Sequence, residues 1–316
     1  MASFPTQHTA GPPKKPMVLR RLFYTDQHEL TLPEGHKFPA GKYRMLRHLL
    51  ESEGQFSFEP APFADPSTIA LAHSRDYIEQ FLTGALPHAA MRRIGLPWSE
   101  AMVRRALASV GSTLSAARDA VDYGWGGSLS GGTHHAFRVA GSGFCVFNDI
   151  AVAIQSLRKD GLALRVSVID LDVHQGDGTA EIFAEDPDVF TLSFHGESNF
   201  PFRKQISSLD VALPDKTEDA EYLRQLDQAL PKALAFRPDI IFYQSGVDPL
   251  YADVLGRLSL SFEGLKERDR KVMNAARELR IPLVLTAGGG YSRPIELSVQ
   301  AHANTYRTAA EVFPTE

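Results

Sequence analysis

The second half of the chain alternates short apolar segments with amphipathic segments, and this alternation constrains the fold more than any other feature. Four segments have the length and the Val, Ile and Leu content of buried strands: 165–171, 189–194, 239–244 and 282–287. Helical periodicity lies between or after them, over 179–184, 219–236, 261–279 and 294–312. Buried strands that alternate with helices form parallel sheets with both faces covered. The sequence therefore predicts an α/β fold with a central, mostly parallel sheet flanked by helices on both faces.

The first half of the chain carries weaker patterns. We predict a first strand over 18–24 and helices over 69–83, 99–122 and 147–158. Residues 1–17, rich in Pro, Thr and Lys, are expected to form a disordered tail. Because neither an internal repeat nor a long linker follows this tail, the sequence predicts a single domain over 18–316.

Composition narrows the class of protein. The chain has 316 residues, a hydrophobic fraction of 43% and a net charge of −5, which allow a sizeable core and do not indicate direct nucleic-acid binding. A single cysteine, Cys145, excludes an intrachain disulfide and fits a reducing compartment. No signal peptide is recognisable, and no apolar run approaches the roughly 20 residues that cross a bilayer. We expect an intracellular protein, cytoplasmic or, in a eukaryote, nuclear, without membrane contact.

Polar or glycine-rich residues follow each of the four predicted strands of the second half. The first strand leads into 170–178, the second into 193–195, the third into 244–248 and the fourth into 287–291. Open parallel sheets bind ligands beyond the carboxyl ends of their strands. The four runs therefore indicate one functional site at this edge of the sheet.

Asp172, His174 and Asp248 are candidate metal ligands. In an extended chain, the spacing of Asp172 and His174 directs both side chains to the same side, and Asp248 ends a different strand. Three such ligands leave open positions for water and substrate. Oxygen and imidazole donors suit zinc, with iron or cobalt as alternatives. An isolated Asp-x-His more often belongs to a turn or a helix cap, so this hypothesis depends on the surrounding motifs.

Two adjacent histidines, His134 and His135, lie in a glycine-rich loop. Because imidazole titrates near neutral pH, such a pair can divide the work of general base and electrostatic support. Asp170 and Asp177 are spare carboxylates that could each orient one imidazole. The alternatives are an ordinary surface loop and metal ligation by the histidines themselves.

A further motif, 288–291, places three glycines and Tyr291 directly after a buried strand. The Tyr hydroxyl could stabilise an oxyanion, while the alternative is a plain turn with a packed Tyr. The segment 141–145 resembles a dinucleotide-binding loop only superficially, because the third glycine is missing and no strand precedes it. Cys145 has no recognisable base beside it and is interpreted as a small buried apolar residue.

Taken together, five motifs resemble those of the histone deacetylase family: 131–135, 141–149, 170–178, 245–248 and 288–291. Their order and spacing agree with that family over roughly residues 20–310. Four further stretches look like the class IV branch and its bacterial relatives: 36–43, 92–98, 199–204 and 255–259. The resemblance implies an arginase/deacetylase-like fold with a tunnel for an acyl-lysine that leads to zinc.

The resemblance also assigns roles to individual residues. It implies that Asp172, His174 and Asp248 bind zinc, and that His135 is the general base and acid. It further implies that Asp170 supports His134, that Asp177 supports His135, and that Tyr291 stabilises the transition state. The tunnel wall would include Gly143 and Phe144, with either Phe200 or Phe202 opposite, and Leu255 matches the position of a gatekeeper residue.

Many members of the family also hold a potassium ion near the zinc. The matching positions in this chain are Asp170, Asp172, His174, Ser193 and Phe194, the last through its carbonyl oxygen.

These motifs predict a zinc-dependent hydrolase that removes acetyl or longer acyl groups from lysine side chains of proteins or peptides. One alternative is a deacetylase of small acetylated amines such as polyamines. Another is a non-catalytic module that binds acylated peptides, against which His135 and Tyr291 both count. A polyamine carries charges that need a carboxylate at the tunnel mouth, and Leu255 supplies none.

Overall fold

A computed structural model describes residues 19–314 and places eight parallel strands in one sheet. The strands are β1 (Arg20–Tyr24), β2 (Phe56–Pro60), β3 (Trp125–Ser128), β4 (Val166–Asp170), β5 (Val189–Gly196), β6 (Leu209–Leu213), β7 (Ile240–Gln244) and β8 (Leu283–Thr286). Their order across the sheet is β2-β1-β3-β8-β7-β4-β5-β6, and every pair is parallel. The predicted α/β class and the central parallel sheet are confirmed.

Ten helices connect these strands within the described residues. They are α1 (Lys42–Glu53), α2 (Pro66–Ile69), α3 (Arg75–Leu82), α4 (His88–Ile94), α5 (Glu100–Tyr123), α6 (Asp149–Lys159), α7 (Asp177–Ile182), α8 (Asp219–Ala235), α9 (Phe262–Leu279) and α10 (Glu296–Val312). None of them is long and apolar enough to cross a membrane.

The core lies on both faces of the sheet because successive strand residues point to opposite sides. On β4, Ile169 packs into the cluster that α1, α8, α9 and α10 cover, whereas Val168 packs into the cluster under α2, α3, α5 and α6. On β7, Tyr243 and Phe242 divide in the same way. Such strands are apolar on both sides, and this is why their sequences are continuous apolar runs.

Most elements of the second half agree with the prediction, and most errors fall in the first half or at the edges of the sheet. The outer strands β2 and β6 were not predicted, because their half-exposed residues interrupt the apolar run. Helices α1 and α4 were also missed. The single helix predicted over 69–83 is wrong: α2 ends at Ile69, and Ser74 caps a separate helix by accepting a hydrogen bond from the N–H of Tyr77.

Strand β3 was missed for a different reason. Its sequence contains two glycines, whereas buried strands are usually rich in Val and Ile. Helix α5 packs so closely on β3 that a Cβ at Gly126 would collide with the carbonyl oxygen of Ala116. Close packing of the helix on the strand therefore determines this sequence, and the pattern that usually identifies a strand is lost.

The prediction of a disordered tail over 1–17 lies outside the described residues. Within the described part, the carboxyl ends of β4, β5, β7 and β8 lie side by side at one edge of the sheet. Asp170 is in register with Ser193 on β5 and with Gln244 on β7. The polar runs that follow these strands are therefore brought together.

Candidate metal centre and catalytic site

Three side chains converge beyond the ends of β4 and β7. Nδ1 of His174 lies 3.0 Å from Oδ1 of Asp172 and 3.0 Å from Oδ2 of Asp248. One ligand atom from each residue lies within 4.8 Å of the other two. A tetrahedral zinc ion with bonds of about 2.0 to 2.1 Å holds its ligand atoms about 3.3 Å apart, so the spacing fits such an ion. Two carboxylates and one imidazole also leave a fourth position for water or substrate.

The backbone and one amide hold the two carboxylates in place. Oδ2 of Asp172 accepts hydrogen bonds from Nε2 of Gln244 at 2.9 Å and from the N–H of Gly289 at 2.8 Å. Oδ1 of Asp248 accepts from the N–H of Val173 at 2.8 Å. A Cβ at Gly289 would collide with both carboxylates, so only glycine fits there. These outer contacts orient the ligand atoms before any metal binds.

Burial and charge shift the pKa values of the candidate ligands. Burial, followed by the like charge of Asp172, raises the pKa of Asp248 to about 7. Burial alone would lower the pKa of His174, but Asp172 and Asp248 outweigh it and raise that pKa to about 10. Because a metal takes neutral imidazole and ionised carboxylate, binding here would release protons and strengthen as the pH rises.

Each of the two adjacent histidines faces a buried carboxylate. Nδ1 of His134 lies 2.6 Å from Oδ2 of Asp170, and Nδ1 of His135 lies 2.6 Å from Oδ1 of Asp177. A carboxylate accepts the Nδ1 proton, so Nε2 is left to face the metal site. The two rings are in contact, with centroids 4.1 Å apart.

The pKa values of the two imidazoles are shifted in opposite directions. Burial lowers the pKa of His134, but the carboxylates of Asp170 and Asp172 exceed this effect and raise it to about 9. For His135, burial and then the positive charge of His134 lower the pKa to about 4, although Asp177 opposes them. The arrangement therefore favours the charged form of His134 and the neutral form of His135, and a neutral imidazole can accept a proton.

Asp149, at the start of α6, holds the loop that carries both histidines. Its Oδ2 accepts a hydrogen bond from the N–H of Gly132 at 3.0 Å, and its Oδ1 accepts from the N–H of Thr133 at 2.7 Å. No role for this buried residue was predicted from the sequence. Its signal was weak, because an acidic residue in the first turn of a helix is common without any such contact.

A cavity of about 660 Å³ leads from the surface to His135, His174 and Tyr291. Phe144 lies on one side, with its ring centroid 6.1 Å from that of Tyr291. Phe200 lies beside His135, with ring centroids 4.9 Å apart. The structure thus places Phe200 at the inner wall and the 87% exposed Phe202 at the outer rim.

The loop that forms one cavity wall is fixed to the end of α4. Phe144 adopts φ 66°, a conformation that costs a non-glycine residue about 1 kcal/mol or more. Its N–H donates to the carbonyl of Ile94 at 2.7 Å, and the N–H of Gly143 donates to the carbonyl of Arg93 at 3.2 Å. Cys145 is buried in this loop, and burial raises the pKa of its thiol well above the usual value, so its interpretation as a packing residue stands.

Tyr291 follows the three glycines after β8 and faces the cavity. Its N–H donates to Oδ2 of Asp253 at 2.6 Å. The ammonium group of buried Lys42 donates to the carbonyls of Gly288 and Gly290, at 3.2 Å each. Burial raises the pKa of the Tyr291 hydroxyl well above its usual range, so the hydroxyl stays protonated and can donate a hydrogen bond.

Arg268 is a second buried cation near the site, and, like Lys42, it had no role predicted from the sequence. The guanidinium, 0% exposed, donates to the carbonyls of Leu171 at 3.2 Å and of Gly246 at 2.6 Å, and it pairs with Asp269 at 2.8 Å. It therefore joins the two loops that carry the candidate metal ligands. The available signal was a charged pair at positions of α9 that share a face with the apolar Leu265, Val272 and Ala276.

The positions that the resemblance implies for potassium are all buried and lie on neighbouring strands or just beyond them. Asp170 faces Ser193 across β4 and β5, and Phe194 follows on β5. Asp172 and His174 follow β4, and the N–H of Asp172 donates to Oδ1 of Asp170 at 3.2 Å.

Comparison with known sequences identifies the family. The model of the histone deacetylase domain matches residues 36–306. An uncharacterised protein of Picosynechococcus sp. is 42% identical over 296 residues, covering 92% of this chain and 99% of that protein. Histone deacetylase 2 of Arabidopsis thaliana is 38% identical, covering 88% of this chain and 76% of the plant protein. The acetoin utilization protein AcuC of Bacillus subtilis is 37% identical, with coverages of 72% and 64%.

Solved structures show the same fold at lower identity. An acetylpolyamine aminohydrolase from Burkholderia pseudomallei has a TM-score of 0.76 and 22% identity, covering 93% of this chain and 99% of its own. The HD domain of HDA15 has a TM-score of 0.76 and 19% identity, with coverages of 94% and 90%. Since the family model spans most of the sequence and the sheet carries the expected arginase/deacetylase fold, this chain belongs to the histone deacetylase family of amidohydrolases.

Proposed function

We propose that the protein is a zinc-dependent hydrolase that removes acetyl or longer acyl groups from lysine side chains of peptides or proteins. The observation that carries this proposal is the arrangement at the base of the cavity. The group of three candidate zinc ligands reaches the cavity through His174, and the neutral imidazole of His135 and the protonated phenol of Tyr291 line the same space. We further propose that residues 18–316 form one catalytic domain, that it acts inside the cell, and that it belongs to the class IV branch.

Asp172, His174 and Asp248 would hold the zinc ion. Such an ion polarises an acyl carbonyl and lowers the pKa of water when bound. His135 accepts a proton from the attacking water and passes it to the amine as the C–N bond breaks, which yields a carboxylic acid and a free amine. Asp177 keeps the His135 ring in the orientation that exposes Nε2.

Tyr291 and His134 support the same reaction electrostatically. The Tyr291 hydroxyl donates to the carbonyl oxygen as negative charge develops on it, and one donor of this kind is worth about 3 to 4 kcal/mol. His134, kept charged by Asp170, places a positive charge beside the reacting atoms. This charge also lowers the proton affinity of His135, so the two histidines divide the work.

The cavity favours an acyl-lysine over an acetylpolyamine. Leu255 lies at the mouth, and no carboxylate lines the cavity among residues 19–314. A polyamine would bring an ammonium group to that position without a partner, which is costly. The likeness to an acetylpolyamine aminohydrolase concerns the fold alone. The preference between acyl-lysine and acetylpolyamine therefore depends on the side chains that line the cavity.

We propose a second cation, potassium, bound by Asp170, Asp172, His174, Ser193 and the carbonyl of Phe194. It would sit between β4 and β5 and neutralise part of the buried negative charge behind the zinc site.

Loading the metal-free protein with Zn²⁺, Fe²⁺ or Co²⁺, each with and without K⁺, identifies the ions that sustain activity. Activity that needs no divalent ion would contradict the zinc proposal.

One assay tests the substrate. Zinc-loaded protein is given an acetyl-lysine peptide, the same peptide with a long acyl chain, and an acetylpolyamine, and kcat/KM is measured for each. We expect the peptides to be hydrolysed and the polyamine to be poorer. A wild-type preference for the polyamine would refute the lysine proposal and leave the amidohydrolase intact.

A further inference from the structure

We propose that a basic pocket beside the tunnel mouth binds an acidic side chain that flanks the acyl-lysine of a peptide substrate. This inference rests on the proposed function, because it assumes that an acyl-lysine occupies the cavity. The pocket has a volume of about 460 Å³ and shares Lys37, Val254, Leu255 and Tyr291 with the wall of the cavity. Arg293 lines its far side.

The lysine and arginine residues that line the cavity and the neighbouring pocket face no acidic residue of the described chain in either lining. Lys37, Arg93 and Arg257 line the cavity, and Lys37 and Arg293 line the neighbouring pocket. Neither lining contains Asp or Glu among residues 19–314, although the chain has 38 acidic residues against 33 basic ones. The mouth is therefore basic on a protein that is acidic overall, so an anionic ligand is attracted to this place in particular.

Two of these cations are available to a ligand. Among the described residues, Lys37 and Arg293 form no ion pair, and both side chains are exposed. Arg257 differs, because Nη1 lies 3.3 Å from Oδ2 of Asp215. The nearby carboxylate of Asp253 is turned inward, where it accepts backbone hydrogen bonds from the loop. As far as residues 19–314 are concerned, the pocket thus offers two unpaired cations and no competing anion.

The other polar group of the pocket, His36, is already occupied. Its Nδ1 accepts the N–H of Phe38 at 3.0 Å, so the ring proton is on Nε2, which donates to the carbonyl of Gly95 at 3.0 Å. His36 therefore holds the loop in place and leaves recognition to Lys37 and Arg293.

The position of the pocket favours a peptide. When an acyl-lysine fills the tunnel, its backbone remains at the mouth, and extended residues advance about 3.3 Å each. A side chain one or two residues from the lysine can then reach a pocket that shares a wall with the tunnel. A Glu or Asp at that place would meet Lys37 and Arg293, whereas a Lys or Arg would be repelled.

The test uses three short acetyl-lysine peptides that differ only in whether the flanking residues are Glu, Gln or Lys. For zinc-loaded wild-type protein at low salt, we expect kcat/KM to fall from Glu to Gln to Lys, by about twofold to fivefold per step. At about 1 M salt, where the Debye length is about 3 Å, the differences should largely disappear. Equal values for the three peptides at low salt would overturn the inference.

Charge reversal locates the effect. Lys37→Glu and Arg293→Glu should each lower the Glu-to-Lys preference ratio, and the double variant should invert it. Lys232→Glu, an equal charge change on the exposed side of α8, should leave the ratio unchanged. The Glu-to-Lys ratio is measured on one preparation of each variant. Partial unfolding lowers both kcat/KM values by the same factor and therefore leaves this ratio unchanged. An equal fall in Lys232→Glu would refute the assignment to this pocket.

Two further arms separate this inference from the proposed function. Binding of the same peptides to His135→Ala is measured by fluorescence anisotropy. Tighter binding of the Glu peptide without turnover by the wild type would support the pocket and contradict the deacylase proposal. The kcat/KM of free acetyl-lysine, which carries an α-carboxylate, is also compared with that of its amide, which carries none. If Arg293→Glu changes only the value for free acetyl-lysine and leaves the peptide ratio unchanged, recognition of an acidic side chain is refuted.

Discussion

The base of the cavity and its mouth differ in how deeply their side chains are buried and how firmly they are held. At the base, each charged group has several fixed partners, as Asp172 does with Gln244 and Gly289, and almost every side chain is buried. At the mouth, Lys37, Arg293 and Phe202 are exposed, and neither cation has an ion-pair partner among the described residues. For the proposed hydrolase, this contrast implies that the interior of the fold fixes the catalytic groups, whereas substrate choice depends on exposed side chains at the mouth. Changes at the base should therefore be severe, and changes at the mouth should be mild and specific for the substrate.

The largest effect is expected at the candidate metal ligands. His174→Ala removes the one nitrogen donor of the proposed set, and the two carboxylates that remain repel each other. Zinc content measured by elemental analysis should fall far below one ion per chain, and hydrolysis should be lost with it. A His174→Ala protein that retains a full equivalent of zinc would refute the ligand set.

The next effect concerns stability, because Arg268 is a fully buried cation. Arg268→Met removes the cationic partner of Asp269, to which Tyr243 and Thr305 still donate, and leaves the carbonyls of Leu171 and Gly246 without this donor. Breaking a buried ion pair costs about 3 to 5 kcal/mol, and urea unfolding should show that loss in the free energy of unfolding. Arg270→Met on the same helix removes only partly exposed pairs and should cost about 1 kcal/mol or less. Similar losses in the two variants would show that Arg268 is not a special support of the site.

A third change separates chemistry from structure at the base. Tyr291→Phe removes a hydroxyl that acts chiefly on the transition state, so kcat should fall by about 10² to 10³ with little change in zinc content. Tyr251→Phe provides the control, because this Tyr is 58% exposed and does not line the cavity. Wild-type kcat in Tyr291→Phe would exclude the oxyanion role.

The same contrast explains what the sequence could predict. Asp172, His174 and Asp248 were found because strands of one parallel sheet end at one edge, so residues distant in sequence can be placed together. Lys42 and Arg268 were not found, since each acts through carbonyl groups of loops that only the folded chain brings near.

Two further features could not be predicted from the sequence, for the same reason. The glycines of β3 reflect close packing of α5, which no local pattern shows. The basic pocket at the mouth joins Lys37 and Arg293 from opposite ends of the chain. Arg293 lies in no motif, and Lys37 lies in the 36–43 stretch without a predicted role of its own. The role of each residue therefore depends on what the fold places beside it.

The smallest effect is expected at the mouth, at Leu255. A carboxylate there would face the incoming ammonium group of an acetylpolyamine, and an exposed ion pair is worth up to about 1 kcal/mol, or about fivefold. Leu255→Glu should therefore raise kcat/KM for the polyamine relative to the acetyl-lysine peptide by about that factor, with zinc content and unfolding free energy near the wild-type values. Val139→Glu adds the same charge at an exposed position outside the cavity and should leave the ratio unchanged. If Leu255→Glu lowers hydrolysis of both substrates by a hundredfold or more, as Tyr291→Phe is expected to do, then the mouth belongs to the catalytic arrangement and the division between base and mouth is wrong.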